Sequence, residues 1–108
     1  VIAQHAGLST IIFDEVDLGV SGKIADRMGT MIHQLSGHMQ VLAITHLPQV
    51  AAKGNAHYLV RKEVVESVTE TRVLPLSEND RIMEVARMLS GSSITPAAIQ
   101  NAKDLLNN

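Results

Sequence analysis

Two adjacent carboxylates, Asp14 and Glu15, follow directly on the short apolar run 11–13. The run is too short for a helix and rich in β-branched residues, so it predicts a buried strand over residues 9–15. Open α/β sheets bind their ligands at the carboxyl ends of strands. One carboxylate could there hold a cation while the other acts on a water molecule. For the pair alone, solvated charges at the end of a strand are an equally good interpretation.

A histidine occupies the equivalent place after the next apolar run. Residues 40–45 predict a second strand, which leads into His46 and then Pro48. A helix predicted over residues 22–36 separates the two strands, and a strand–helix–strand unit of this kind favours parallel pairing. The carboxyl ends of both strands then share one edge of the sheet, so Asp14, Glu15 and His46 can converge there. Taken alone, His46 is more typical of a surface or N-cap histidine.

The first predicted helix has an apolar face at helical spacing. Ser21 is its expected cap and Gly37 its expected stop, and Met28 and Met31 are interpreted as core residues. The face consists of Ile24, Met28, Met31, Ile32 and Leu35. A short helix is expected to start at Pro48 and to end by Gly54.

The second half of the chain predicts a third strand over residues 56–60 and a β-hairpin over about 64–76, with its turn around 63–67. Ser77 and Asp80 resemble a capping box before a helix that stops at Gly91. Thr95 and Pro96 start a last helix. The inward positions of these two helices are Ile82, Val85, Ala86, Leu89, Ile99, Ala102, Leu105 and Leu106.

Composition narrows the classes of function. The 108 residues allow one domain at most, and their net charge of -2 gives no global attraction to nucleic acid or to anionic membranes. No cysteine is present, which excludes disulfides and thiolate zinc sites. Aromatic residues make up 2% of the chain, which argues against stacking platforms for single-stranded nucleic acid. No membrane span and no signal peptide are predicted, and the missing initial methionine suggests a piece of a longer protein.

Several candidate motifs are set aside. Residues 19–23 resemble a phosphate loop, but Asp17 stands where the pattern needs glycine and Ile24 where it needs Ser or Thr. The other histidines lack the spacing of a helical metal site and are interpreted as ordinary; they are His5, His33, His38 and His57. Arginines and lysines of the second half are interleaved with glutamates, which favours a solvated face over a basic patch; they are Arg61, Lys62, Arg72, Arg81 and Arg87.

Three linked motifs resemble those of the ABC-type ATPases. Residues 11–15 resemble the Walker B strand, residues 17–22 the D-loop and residues 44–46 the switch-histidine strand. The fuller strings FDEVDLGVSG, ITHLPQVAA and ARMLSG are similar to SMC-like ATPases of bacterial DNA repair. The resemblance runs from about Ser9 to Leu106. It implies an α/β fold, the C-terminal lobe of a P-loop NTPase head, with a mostly parallel sheet, flanking helices and a β-hairpin.

The resemblance also implies roles for individual residues. Asp14 would help to hold Mg²⁺ through water, Glu15 would act as general base on the attacking water, and His46 would contact the γ-phosphate of ATP. A metal carboxylate, a water-orienting carboxylate and a phosphate sensor suit phosphoryl transfer, which depends on positioning and charge stabilisation.

Further nucleotide-site residues follow from the same motifs. Asp17, Gly19 and Ser21 would lie in the D-loop, which in this family meets a second head when two heads sandwich ATP. Gln49 belongs to the matching string and is counted with them, although the residues alone give it no role.

The expected whole is a segment of an ATP-hydrolysing head that acts in DNA double-strand break repair and recombination. Residues 1–108 would form a single partial domain, without the Walker A lobe and coiled coil. The implied cofactors are ATP and Mg²⁺; the implied partners are the Walker A lobe of the same head, a second head, and DNA through the full-length protein, with no membrane. The implied location is the bacterial cytoplasm, in association with the nucleoid. Because Walker A, the Q-loop and the signature motif are missing, the isolated chain is expected to be inactive.

Two other classes of function remain open at this point. The acidic loop and the hairpin could dock a protein partner without catalysis. Alternatively, Asp14 and Asp17 could be the ligands of a different magnesium-dependent α/β enzyme, which would work without an added domain.

Overall fold

The computed structural model describes residues 10–14, 22–91 and 93–107. Within these residues, no helix has both the length and the apolar character needed to cross a membrane. The elements in chain order are β1 (Thr10–Asp14), α1 (Gly22–Leu35), β2 (Gln40–Ile44), α2 (Pro48–Ala51), β3 (Tyr58–Val65), β4 (Val68–Pro75), α3 (Glu78–Ser90) and α4 (Pro96–Leu106).

Strands β1 and β2 pair in parallel, with Thr10 opposite Gln40 and Asp14 opposite Ile44. The predicted strand–helix–strand unit is therefore confirmed. The expectation that the first strand is buried is wrong for one of its faces. Ile12, Leu42 and Ile44 share that face and are 60%, 46% and 51% exposed. Parallel sheets normally have both faces covered, and here one face is left open.

The hairpin is longer than the sequence predicts. Strand β3 continues without a break from Tyr58 to Val65, so the third strand and the first arm of the hairpin are one element. The turn is the pair Glu66 and Ser67, whose φ values of 50° and 67° are both left-handed. Two such residues match the twist of the flanking strands. The turn lies within the predicted range 63–67, but its left-handed type was not predicted, because neither residue is the glycine, asparagine or aspartate that usually marks it.

The two C-terminal helices contain the main apolar core. Their buried residues are Val85, Ala86, Ala98 and Ala102, against which Ile82, Ile99, Leu105 and Leu106 pack. Both helices begin as predicted: Ser77 Oγ accepts from Asp80 N–H at 3.2 Å and Thr95 Oγ1 accepts from Ala98 N–H at 3.0 Å. Helix α3 ends before Gly91, whose φ of 85° suits a residue without Cβ.

Helix α1 buries a different face from the predicted one. Met31 is 62% exposed and Ile24 49%, whereas Ala25 and Gly29 are buried. A Cβ at Gly29 would lie 2.9 Å from the carbonyl oxygen of Gln49 and 3.3 Å from Val50 Cα. The backbones of α1 and α2 are thus in close contact, and only small residues permit this. The interpretation of Met31 as a core residue is wrong for this reason.

The predicted stop at Gly37 is also corrected. Helix α1 ends at Leu35, and Gly37 lies in the following turn, where its N–H donates to the carbonyl of Gln34. Among the glycines that the structure describes, a left-handed φ occurs at Gly91 and not at Gly37. The helix therefore ends in a tightened last turn rather than in a glycine cap.

Truncation of Val85 to alanine should destabilise the chain. Val85 is fully buried between α3 and α4. The loss of two methyl groups, with the cavity that they leave, should lower the free energy of unfolding by about 2 kcal/mol. Urea unfolding followed by circular dichroism measures this. The matched change Val64→Ala, at a position 75% exposed, should alter stability by less than about 0.5 kcal/mol. Equal losses in both variants would contradict the proposed core.

Substitution of Gly29 by alanine should also destabilise, although alanine is the better helix former. The added Cβ meets backbone atoms of α2 that cannot move aside freely, and such overpacking typically costs about 1–3 kcal/mol. Gly22→Ala is the matched control, because its Cβ would lie at an ordinary 3.5 Å from the Gln49 Nε2 atom. The same urea experiment should show Gly29→Ala less stable than Gly22→Ala; the reverse order would mean that α1 and α2 do not pack this closely.

Candidate functional site

The register of the parallel sheet sets Asp14 and His46 at one edge. Asp14 is the last residue of β1 and lies opposite Ile44, the last residue of β2, and His46 follows two positions later. Both side chains are exposed. Asp14 forms no ion pair with any other residue that the structure describes, so its carboxylate is available to a cation. The edge is the carboxyl end of both strands, where ligands of such sheets bind.

The chain turns sharply after β2. Leu47 N–H donates to Thr45 Oγ1 at 3.0 Å, a local side-chain bond that closes a turn around His46. Pro48 then occupies the first position of α2, where its fixed φ suits a helix and its missing N–H costs nothing. Thr45 and Pro48 together fix the path of the backbone on both sides of the histidine.

Gln49 lies between this turn and the start of α1. It is the second residue of α2 and is half-buried. Its Nε2 atom is 3.5 Å from the place where a Cβ of Gly22, the first residue of α1, would stand. The amide therefore lies near the beginning of α1.

Four predicted site residues, Glu15, Asp17, Gly19 and Ser21, lie outside the described residues, so their assignments stay predictions. Of the others, the strand register sets Asp14 and the turn that contains His46 at one edge, and Gln49 lies three residues further along the chain, in α2. Among the described residues, no group of three His, Cys, Asp or Glu side chains is arranged to hold a metal ion by itself.

Two residues that sequence reasoning treated as ordinary hold α2 in place. His33 Nδ1 donates to the carbonyl oxygen of Lys53 at 2.8 Å, and Lys53 Nζ lies 3.8 Å from Asp26. A signal for His33 was present: it lies one helical turn after Gly29, on the line of closest approach between α1 and α2. Apolar spacing could not mark that line as the buried one, because its residues are small or polar.

Arg81 is the second such residue, and no spacing in the sequence distinguishes it from the other arginines. Its Nη2 donates to the carbonyl oxygens of Ala51, Ala52 and Gly54, at 3.0, 3.3 and 2.6 Å. Burial lowers the pKa of the guanidinium, which nevertheless stays charged at neutral pH.

The other arginines behave as the interpretation of a solvated face predicts. Arg72 lies 3.3 Å from Glu63 and 3.8 Å from Glu70, and Arg87 pairs with Glu84. These ion pairs neutralise the cations locally, so this part of the described surface carries no basic patch.

A cleft of about 600 Å³ lies beside Arg81, between the base of the hairpin and the helices α3 and α4. His57 and Lys103 also line it. Burial, and then the nearby Arg81 charge, lower the pKa of His57, while Glu84 acts in the opposite direction. His57 is therefore neutral at pH 7. Asp14, His46 and Gln49 do not line this cleft, and of its charged lining residues Arg81 also binds the end of α2.

The chemistry at the edge of β1 and β2 suits a nucleotide with its metal ion. A carboxylate is the ligand that Mg²⁺ prefers, usually with several waters retained. An imidazole and an amide supply the hydrogen-bonding groups that phosphate oxygens accept from. Asp14, His46 and Gln49 therefore fit Mg²⁺ and ATP, as the resemblance implies.

Comparison with known proteins adds sequence relatives over nearly the whole chain. No protein-family model matches. The DNA repair protein RecN of Haemophilus influenzae is 45% identical over 105 residues, or 97% of the chain and 19% of that protein. RecN of Bacillus subtilis is 43% identical over 106 residues, or 98% of the chain and 18% of that protein. The chain thus spans about a fifth of the length of these relatives.

Solved structures with a similar fold include SMC heads. An SMC ATPase described for ATP-driven dimerization and DNA-stimulated activation matches 85% of the chain and 55% of its own, with a TM-score of 0.64 and 16% identity. The SMC head domain from Thermotoga maritima matches 70% of the chain and 27% of its own, with a TM-score of 0.59 and 22% identity. The chain is therefore similar in sequence to a segment of the RecN proteins, and its fold is similar to that of SMC heads.

Proposed function

We propose that this chain is the Walker B, D-loop and switch-histidine segment of an ATP-hydrolysing head in a RecN-type DNA repair protein. The observation that carries the proposal is the parallel register of β1 and β2. It sets Asp14 at the strand end next to the turn that holds His46. The names of the curated relatives, DNA repair protein RecN, support the biological setting of repair and recombination.

Three side chains divide the chemistry of hydrolysis in this proposal. Asp14 would help to hold Mg²⁺, which would neutralise phosphate charge. Glu15, the next residue, accepts the proton of the attacking water; a general base of this kind contributes about 10²–10⁴-fold in rate. His46 donates a hydrogen bond to the γ-phosphate and so senses its presence. Each of these roles depends more on the position of the side chain than on any unusual reactivity, as expected for phosphoryl transfer.

The remaining site residues serve the nucleotide and the contact between heads. Gln49 is held beside the start of α1 and would approach the nucleotide from the side of that helix. Asp17, Gly19 and Ser21 would meet the second head across a shared ATP. The SMC ATPase of similar fold, described for ATP-driven dimerization, supports this arrangement by analogy.

The rest of the head would cover the open face of the sheet. Ile12, Leu42 and Ile44 present apolar surface there, which a parallel sheet does not normally leave in water. A Walker A lobe supplied by the other four fifths of a RecN protein would bury this face and complete the nucleotide site. DNA would be engaged through the full-length protein, in the bacterial cytoplasm at the nucleoid.

The decisive variant is Glu15→Gln in a full-length RecN protein in which this chain forms the matching segment. It removes the basic carboxylate but keeps size and shape. ATP turnover, measured with and without DNA, should fall by about 10²–10⁴-fold. Binding of a fluorescent ATP analogue should be retained.

The matched control is Glu66→Gln, the same chemical change in the exposed turn of the hairpin. It should leave turnover unchanged. If Glu15→Gln also left turnover unchanged, the hydrolytic role would be refuted, and docking of a partner by the acidic loop would become the better account.

The isolated 108-residue chain should neither bind ATP tightly nor hydrolyse it, because it carries no Walker A loop. Titration of a fluorescent ATP analogue and a phosphate-release assay with Mg²⁺ measure both properties. Metal-dependent turnover by the purified chain would contradict this and would favour the alternative of a self-sufficient magnesium enzyme.

A further inference from the structure

We infer that Arg81 is a positioning residue for the nucleotide site: its guanidinium fixes the C-terminal end of α2 and thereby the placement of Gln49 and His46. The inference rests on the proposed function. It starts from a convergence of three main-chain carbonyls, those of Ala51, Ala52 and Gly54, on the single nitrogen Nη2 of Arg81.

These carbonyls lie at and beyond the end of α2, and the donor to Ala51 O from within the segment, Gly54 N–H, is at a long 3.4 Å. The last carbonyls of a helix have no partner within it, and the C-terminal end of a helix favours a positive charge. Arg81 supplies both the donor and the charge from α3, a different element. Because its guanidinium is half-buried, water competes little for the same carbonyls. The contact therefore fixes the backbone of residues 51–54.

Helix α2 depends on such contacts because it is short. It comprises four residues, about one turn, and has no side-chain cap at its N-terminus. A helix of this length is not stable on its own in water. One side of α2 is held by α1, through the close approach at Gly29 and the bond from His33 to Lys53. Arg81, on α3, fixes the other side of α2 by binding its last carbonyls.

Movement at one end of α2 is transmitted to the other. Four helical residues span about 6 Å, so the turn behaves as one small rigid body. Gln49 lies within it, and His46 precedes it by two residues in a turn closed by the Thr45–Leu47 bond. Release of the carbonyls from Arg81 would let this body shift. Misplacement of a reacting group by about 1 Å can cost as much as 10²-fold in rate.

The test compares Arg81→Met with Arg81→Lys in the full-length protein. Methionine keeps the apolar stem but cannot donate, whereas lysine retains the charge and its donors. Arg81→Met should lower kcat for ATP hydrolysis by about 10- to 100-fold, with a smaller change in KM. Arg81→Lys should recover part of the loss. Should the methionine variant fail to fold, Arg81→Lys by itself must still show a reduced kcat with KM unchanged; wild-type turnover there would overturn the inference.

Two controls separate positioning from general destabilisation. Val85 lies on α3, like Arg81, but its side chain is buried in the core and does not bind the carbonyls of α2. Val85→Ala should therefore lower the melting temperature without a comparable loss of kcat. Arg81→Met added to His46→Ala should cost less than it does in the wild type, because both changes act on one segment. An equal loss in Val85→Ala, or fully multiplicative losses in the double variant, would overturn the inference.

Failure of the inference is distinguishable from failure of the proposed function. If Glu15→Gln abolishes turnover while Arg81→Met hydrolyses ATP like the wild type, the inference alone is wrong. If Glu15→Gln retains full turnover, hydrolysis does not occur at this edge and both are wrong.

Discussion

The geometry of the candidate site depends on where a single turn of helix is held. Helix α2 has too few residues to stabilise itself, yet it connects the strand end that precedes His46 to the rest of the chain. Its position comes from backbone contact with α1 at Gly29, from the His33 hydrogen bond and from Arg81 on α3. These contacts join residues 20 to 30 positions apart in sequence. The site edge is thus maintained by side chains that would never touch a nucleotide.

This dependence explains which features the sequence predicts and which it does not. The parallel unit, the caps at Ser77 and Thr95, and the stop at Gly91 follow from signals within a few residues of each other, and all are confirmed. The buried face of α1 was mispredicted because apolar size was taken as the guide to burial. The close approach of two backbones instead selects Ala25 and Gly29 and leaves Met31 in water.

The site residues also fall into two groups, those that could be predicted from the sequence and those that could not. Asp14 and His46 could be placed on one edge from the order of strands alone, since parallel strands share their carboxyl ends. Arg81 could not be recognised, and His33 only through its place one turn after Gly29, because their partners are main-chain carbonyls of a distant segment, and a carbonyl leaves no mark in the sequence. The hairpin turn at Glu66 and Ser67 is a third example, in which cross-strand register imposes left-handed backbone on residues that do not signal it.

The distribution of apolar surface links stability to assembly. The fully or nearly buried apolar residues of the described chain are mostly alanines, and Val85 is the largest side chain that is wholly enclosed. Other apolar side chains of valine size or larger, such as Leu42 on the sheet and Val60 and Val73 on the hairpin, remain about half exposed. Two-stranded sheets are at most marginally stable without further packing. Covering these faces would therefore add more burial than the chain achieves alone. Because the same sheet carries Asp14 at its edge, any partner that completes the sheet also fixes the edge where the chemistry is proposed to occur.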